Sequence, residues 1–415
     1  MAVSGLQIAE RARQLLDLAA TRGRDPEKLM KRLKAFTVET PSWGYADTGT
    51  RFGRFHQPAA ARTIEEKLQD AAQVHKLTGA CPSVAVHVLW DFPKGFDPKV
   101  VEYARKLGVR IGSINPNLFQ SQAYKFGSFG NPDAKVRKQA IDHCLEAVRI
   151  GKAVKSPYLS LWFADGTNYP GQDVIRARKQ RFTEGLQKVH KALPKSMTML
   201  LEYKPFEPAF YHTDIADWGM AFLLARAAGP QAKVLVDTGH HYQGQNIEQI
   251  VAWLIDEEML GGFHFNDRKY ADDDLTTGSI DPYQVFRIFN EIVTAEEERG
   301  EALNIAYMID QSHNLKPKIE AMIQTVTTCH EMFAKALLVD RKRLRDAQAR
   351  NDIVTAEEVL RTAFFADTRP LIGYLRQQAG MEADALAAHR ASGYEARVAK
   401  ERAARHGVPA DAAYA

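Results

Sequence analysis

Cysteine is scarce: Cys81, Cys144 and Cys329 are the only three, far apart and without a C-x-x-C pair. That spacing excludes a disulfide framework and a zinc finger, and it suits a reducing, cytoplasmic setting. Charge of one sign is lacking too. With 55 Lys plus Arg against 51 Asp plus Glu, the formal net charge is only +4, so the chain shows neither a nucleic-acid footprint nor an acidic tail. Long apolar runs are absent, and the opening MAVSGLQIAERARQLL mixes both charges and reads as neither signal peptide nor membrane anchor. No G-x-G-x-x-G follows the first apolar run and no G-x-x-x-x-G-K-[ST] occurs, which argues against a phosphate cradle. The expected partner is therefore a small neutral metabolite, with no nucleic acid and no membrane. The chain has 415 residues, 45% of them hydrophobic, which is enough for a large buried core.

Residues 1–35 read as an amphipathic helical lead-in. Short apolar or β-branched runs then recur around 36–43, 83–90, 109–115, 157–163, 197–203, 233–237, 262–266 and 304–310, each followed by a longer helix-like stretch. Eight strand–helix units in an α/β chain imply parallel strands with helical crossovers, and a closed (β/α)₈ TIM barrel over 36–345 fits better than an open sheet. From 346 to 415 Ala, Arg and Glu dominate, which reads as a helical C-terminal extension packed on the barrel or on a neighbouring subunit.

In a TIM barrel the chemistry collects where strands end. Glu202 and Lys204 close the fifth run, Asp237 and His240 the sixth, His264 the seventh and Asp310 the eighth, while Asp272 and Asp274 follow in the loop YADDDL. Any one of these is better read as a loop cap or a satisfied hydrogen-bond partner, and acidic loops are commonly just solvated. The set is harder to dismiss, because five carboxylates gathered in a partly dry pocket are strongly unfavourable without cations. Two divalent ions and Lys204 would balance them, with His240 and His264 as neutral imidazole ligands. Oxygen-rich ligation with a minority of imidazole and no thiolate favours Mn²⁺, Co²⁺ or Mg²⁺, Mn²⁺ first, over zinc.

The motifs PSWG at 41–44, HVLWD at 87–91, WFADG at 162–166, EYK at 202–204, EPAFY at 207–211, VDTGHH at 236–241, GGFHFND at 261–267, KYADDDL at 269–275 and MIDQSHN at 308–314 occur in this order. Together they make the chain similar to L-rhamnose isomerase, in the broad-specificity bacterial branch of the xylose-isomerase-like barrels. The resemblance implies an intramolecular oxidoreductase that converts L-rhamnose to L-rhamnulose, with side activity on aldoses such as D-allose, by metal-assisted hydrogen transfer between C1 and C2. It implies that Glu202, Asp237, His264 and Asp310 hold one ion, that Asp237 bridges to a second, and that His240, Asp272 and Asp274 complete the second site. His87, Lys204 and Asp310 would be catalytic, with His87 assisting ring opening. Trp43, Trp90, Phe119 and Trp162 would wall the sugar, although tryptophans at strand ends are more often plain core. Phe52 would reach into a neighbour's pocket in a cytoplasmic homotetramer. Tyr203 stands where the family has His and is expected to point away from the site.

Three rivals compete with this reading. A nuclease of the endonuclease IV type would need a basic rim, whereas Lys and Arg here are dispersed over helices. A binding module without catalysis would not need the complete ligand set. A ketose 3-epimerase, or another xylose-isomerase-like isomerase, shares much of the logic, but an epimerase uses one metal and a Glu pair, leaving Asp272 and Asp274 unexplained.

Overall fold

The computed structural model describes residues 5–50, 53–167, 169–207, 211–312 and 315–407. All eight apolar runs contribute strands to one parallel sheet. In chain order these are β1 (Thr40–Pro41), β2 (Ser83–His87), β3 (Arg110–Asn115), β4 (Tyr158–Leu161), β5 (Thr198–Glu202), β6 (Ala232–Asp237), β7 (Leu260–Phe265) and β8 (Ala306–Ile309), each hydrogen-bonded to the next. The sheet closes on itself: Glu39 N donates to Tyr307 O at 2.8 Å and Ile309 N to Glu39 O at 2.9 Å, beside a parallel bridge between Glu39 and Met308. The fold is a TIM barrel.

β1 is much shorter than its run. Pro41 has no N–H for a ladder, and the chain turns at once into the 3₁₀ helix Ser42–Tyr45. The outer helices begin where a side chain can satisfy their first N–H groups: Thr63, Asp133, Asp217, Asn246 and Asp281 each cap the helix that follows. Two helices, Gly5–Thr21 and Pro26–Ala35, precede β1. After the last barrel helix, Lys318–Leu337, five more follow among the described residues, ending in Tyr394–His406. That terminal helix is tied to the barrel helix Ile64–Thr78, where Arg402 Nη2 meets Asp70 Oδ1 at 2.7 Å in a buried pair. Among the described residues no helix is long and apolar enough to cross a membrane, and all three cysteines are free and buried.

Strand period and register place the functional side chains. Leu235 sits opposite Glu202 and Gly262, Asp237 opposite His264, and His264 opposite Met308. Successive residues of a strand alternate faces, so Leu200, Leu235, Ala306 and Met308 fill the barrel interior while Glu202, Asp237 and His264, two residues nearer the strand ends, face the same axis one layer higher. The intervening residues, among them Leu201, Val236, Phe263 and Phe265, are fully buried against the helices. The apolar plug below therefore forms the floor on which a polar layer stands.

Candidate active site

Glu202 lies between two imidazoles. Its Oε1 is 3.2 Å from His240 Nδ1 and its Oε2 is 3.3 Å from His264 Nδ1. His264 Nδ1 is also 4.0 Å from Asp237 Oδ2 and 3.7 Å from Asp310 Oδ2, and Glu202, Asp237, His264 and Asp310 each offer one ligand atom within 4.8 Å of the others. Beside this tetrad, His240 turns Nδ1 toward the Tyr203 carbonyl at 3.1 Å, which leaves Nε2 facing Asp272 Oδ1 at 2.9 Å and Asp237 Oδ2 at 4.0 Å. Asp237 is thus shared between the two groups. Lys204 Nζ contacts Asp272 and, at 2.7 Å, Glu207.

The acidic loop is built so that its three aspartates do different work. Asp273 accepts from the backbone N–H groups of Lys269, Tyr270 and Ala271 and so holds the turn together. Asp272 and Asp274 flank it with left-handed φ of 49° and 48°, a conformation Asp tolerates better than most residues, and both line the cavity. Asp274 accepts a 2.6 Å bond from Ser312 Oγ.

Burial and mutual repulsion crowd the negative charge of this layer. Burial pushes Asp237 up to about 7, helped by Glu202 and Asp310, and burial with Asp272 nearby drives Asp274 well above the carboxylate range. Burial would also raise Glu202, but His264 and His240 outweigh it and bring Glu202 down to about 2. Burial opposes charge on His264, yet Glu202, Asp310 and Asp237 lift it to about 9. Divalent ions bound among these groups would compensate the same negative charge. His264 Nδ1 is buried and faces Glu202, Asp237 and Asp310 without a well-aligned hydrogen bond to any of them, which suits a ring nitrogen turned toward a metal ion. The residues present therefore fit a bound divalent ion.

Above the ligand layer is a cavity of about 190 Å³ whose walls include Trp43, His87, Trp90, Phe119, Trp162 and Lys204. The aromatic rings form a continuous arc: His87 lies 4.7 Å from Trp43 and 4.2 Å from Trp90, Trp90 lies 5.6 Å from Phe119, and Phe119 lies 4.9 Å from Trp162. Lys204 Nζ sits 5.0 Å from the Trp162 ring centre. Burial, with Lys67 nearby, holds His87 down at about 3, so its ring is neutral, and its Nδ1 has no partner among the described residues. The His87 backbone is fixed from below, where Asp91 Oδ2 accepts its N–H at 2.8 Å and Asp91 Oδ1 accepts from Lys67 at 2.6 Å.

The structure brings together every residue singled out from sequence except Phe52, which lies outside the described residues. Tyr203 does point away, its hydroxyl meeting His241 Nε2 at 2.6 Å. Sequence reasoning missed Glu207, the second partner of Lys204, and Asn266, whose amide donates to both oxygens of Asp237 at 3.0 and 3.1 Å. Asn266 could have been found, since it sits two residues beyond His264 in GFHFND. Glu207 opens the motif EPAFY, but nothing in that motif pairs it with Lys204.

A closed barrel with a carboxylate and imidazole layer at the C-terminal ends of its later strands, under an aromatic-walled cavity, defines a barrel suited to metal-assisted chemistry on a small molecule. More closely, the chain belongs to the xylose isomerase-like TIM barrel family, whose sequence profile matches residues 62–297. It is 44% identical over 393 residues to a probable sugar isomerase of Rhizobium meliloti (strain 1021), covering 94% of this chain and 91% of that protein. A probable sugar isomerase of Mesorhizobium japonicum is 41% identical over 388 residues, covering 92% of this chain and 90% of that one. Among solved structures, an L-ribulose 3-epimerase shares the fold with a TM-score of 0.53 at 10% identity, covering 77% of this chain and 98% of that chain.

Proposed function

We propose that this protein is an aldose–ketose isomerase of the L-rhamnose isomerase type, acting through two divalent ions, Mn²⁺ by preference. The observation that carries the reading is the tetrad of Glu202, Asp237, His264 and Asp310, within 4.8 Å of one another beneath an aromatic-walled cavity. These four would hold one ion. Asp237, His240, Asp272 and Asp274 would hold the other. Bound there, divalent ions supply Lewis acidity to the oxygens at C1 and C2 of an aldose.

The chain's own groups do the rest. Lys204, kept charged by Asp272 and Glu207 against the cost of its burial, places a fixed positive charge beside the oxygens where negative charge develops. Neutral His87 can accept the proton of the anomeric hydroxyl as the sugar ring opens. Trp43, Trp90, Phe119 and Trp162 offer apolar faces to the C–H surfaces of the sugar and exclude water from the carbons that exchange hydrogen. A cytoplasmic homotetramer completes the reading.

Grip on O1 and O2 is common to all aldoses, so selectivity rests on the far end of the sugar. Apolar walls discriminate by only about 1–3 kcal/mol, roughly 10–200-fold in kcat/KM. A panel of purified aldoses at saturating Mn²⁺ should therefore place L-rhamnose at or near the top, with slower turnover of D-allose and some pentoses. If D-xylose led the panel and L-rhamnose were inert, the substrate assignment would fall. If no aldose reacted while ketoses were epimerised at C3, the isomerase reading would fall with it.

A further inference from the structure

We infer that the dipeptide Asp267-Arg268 is a bracket that positions the three side chains set apart for the second ion. The inference rests on the two-ion reading and concerns residues that touch neither ion nor sugar.

His240 and the pair Asp272 and Asp274 come from two different loops, after β6 and after β7, and loops are the least rigid way to place a ligand. The ligands of the first ion come instead from strand ends. Something must hold the two loops in register. Arg268 is buried, and its guanidinium converges on the backbone of the turn that carries His240: Nε donates to His241 O at 2.8 Å, Nη1 to Thr238 O at 2.8 Å and Nη2 to Tyr242 O at 3.1 Å. Three carbonyls of one turn are thereby drawn to one rigid planar cation. Only a guanidinium presents donors in that fixed fork.

Asp267 does the same for the other loop. Its backbone exchanges two 2.9 Å hydrogen bonds with Leu275, closing the loop that carries Asp272 and Asp274 at its base. Its carboxylate accepts from Ile280 N at 2.7 Å and Asp281 N at 3.0 Å, fastening the loop's return to the helix Pro282–Arg299. Adjacent residues of one strand extension therefore anchor one loop each, and the distance between His240 and Asp272 is set through the peptide bond that joins Asp267 to Arg268. Partners outside the ligand shell commonly tune metal affinity by about 10–100-fold.

The test is calorimetric titration of metal-stripped full-length protein with Mn²⁺, comparing the native chain with Arg268→Lys, which keeps the charge and loses the fork. The native chain should take up two ions. Arg268→Lys should weaken the second by at least roughly tenfold while the first stays within about twofold, which also reports that the barrel is folded. Asp267→Asn should give the same split, and it carries the test alone if Arg268→Lys does not yield folded protein. Two ions bound by the variants at native affinities, or both ions weakened equally, would overturn the bracket and leave the two-ion reading standing. Uptake of a single ion by the native chain would overturn that reading first, and the bracket with it.

Discussion

The indole N–H of Trp43 donates to Asp310 Oδ1 at 2.7 Å, joining the aromatic wall to the carboxylate layer in a single hydrogen bond. The same residue thus faces the cavity with its ring and orients a carboxylate with its nitrogen. Trp43→Phe separates the two roles, since it keeps an apolar ring and removes the donor. A hydrogen bond to a charged group contributes about 1.5–3 kcal/mol, so kcat/KM for the aldose should fall roughly tenfold or more. Steady-state kinetics at saturating metal measure it, and an unchanged kcat/KM would show the bond to be incidental.

Lys204 is held between Asp272 and Glu207 and should be irreplaceable. In Lys204→Met two carboxylates lose their shared cation and the cavity loses its fixed charge. Turnover should drop by at least about 100-fold, in line with the loss of one preorganised electrostatic group. Lys204→Arg should not restore it, because a planar fork does not replace a compact ammonium. Native-like turnover in Lys204→Arg would contradict that argument.

Chelation should abolish activity, and Mn²⁺ or Co²⁺ should restore it best, because the seven proposed ligands offer five carboxylates and two imidazoles but no thiolate. Asp237 lies against both ligand groups, so Asp237→Asn should reduce turnover more than Asp272→Asn. Equal, mild losses would mean that no carboxylate is shared. Full activity in stripped protein, verified by elemental analysis, would remove the metal from the account.

A pH effect is expected far from the site. His330 is buried in the helix Lys318–Leu337, contacts the Leu33 carbonyl at 2.9 Å, and is held by burial down at about 4 against an ordinary 6.5. Above 6.5 it is neutral both folded and unfolded and contributes no pH dependence. Between 6.5 and about 4 the unfolded chain takes up a proton that the native protein does not, so stability falls as pH falls, by up to about 1.4 kcal/mol per pH unit. Denaturant titrations of metal-free protein across this window should show a shallower fall in His330→Asn. An identical slope in the variant would mean that His330 is protonated in the native state.

The fold was legible because its signal is periodic. Eight apolar runs became eight barrel strands, and the residues closing the later runs are those that the register gathers on the axis. What periodicity cannot show is pairing that spans only two or three residues. The small antiparallel sheet of Gly166–Thr167, Tyr211–Thr213 and Phe206–Glu207 went unexpected for that reason, and Glu207, which it presents to Lys204, was missed with it. Asp272 and Asp274 could be read as a pair, but the outward, turn-holding part played by Asp273 depends on backbone N–H groups that no side-chain pattern encodes. Arg268 was silent for the same reason, since its partners are carbonyls.

An aldose–ketose isomerase moves a carbonyl between C1 and C2 of its sugar. The most direct measurement of that move is ¹³C NMR of L-rhamnose labelled at C1, incubated with Mn²⁺-loaded protein and stripped of metal before the spectrum is taken. Label should leave the anomeric region and appear as the C1 hydroxymethyl carbon of L-rhamnulose, and chelator added before the sugar should prevent it. Label that stays wholly anomeric with fully loaded protein would contradict the account.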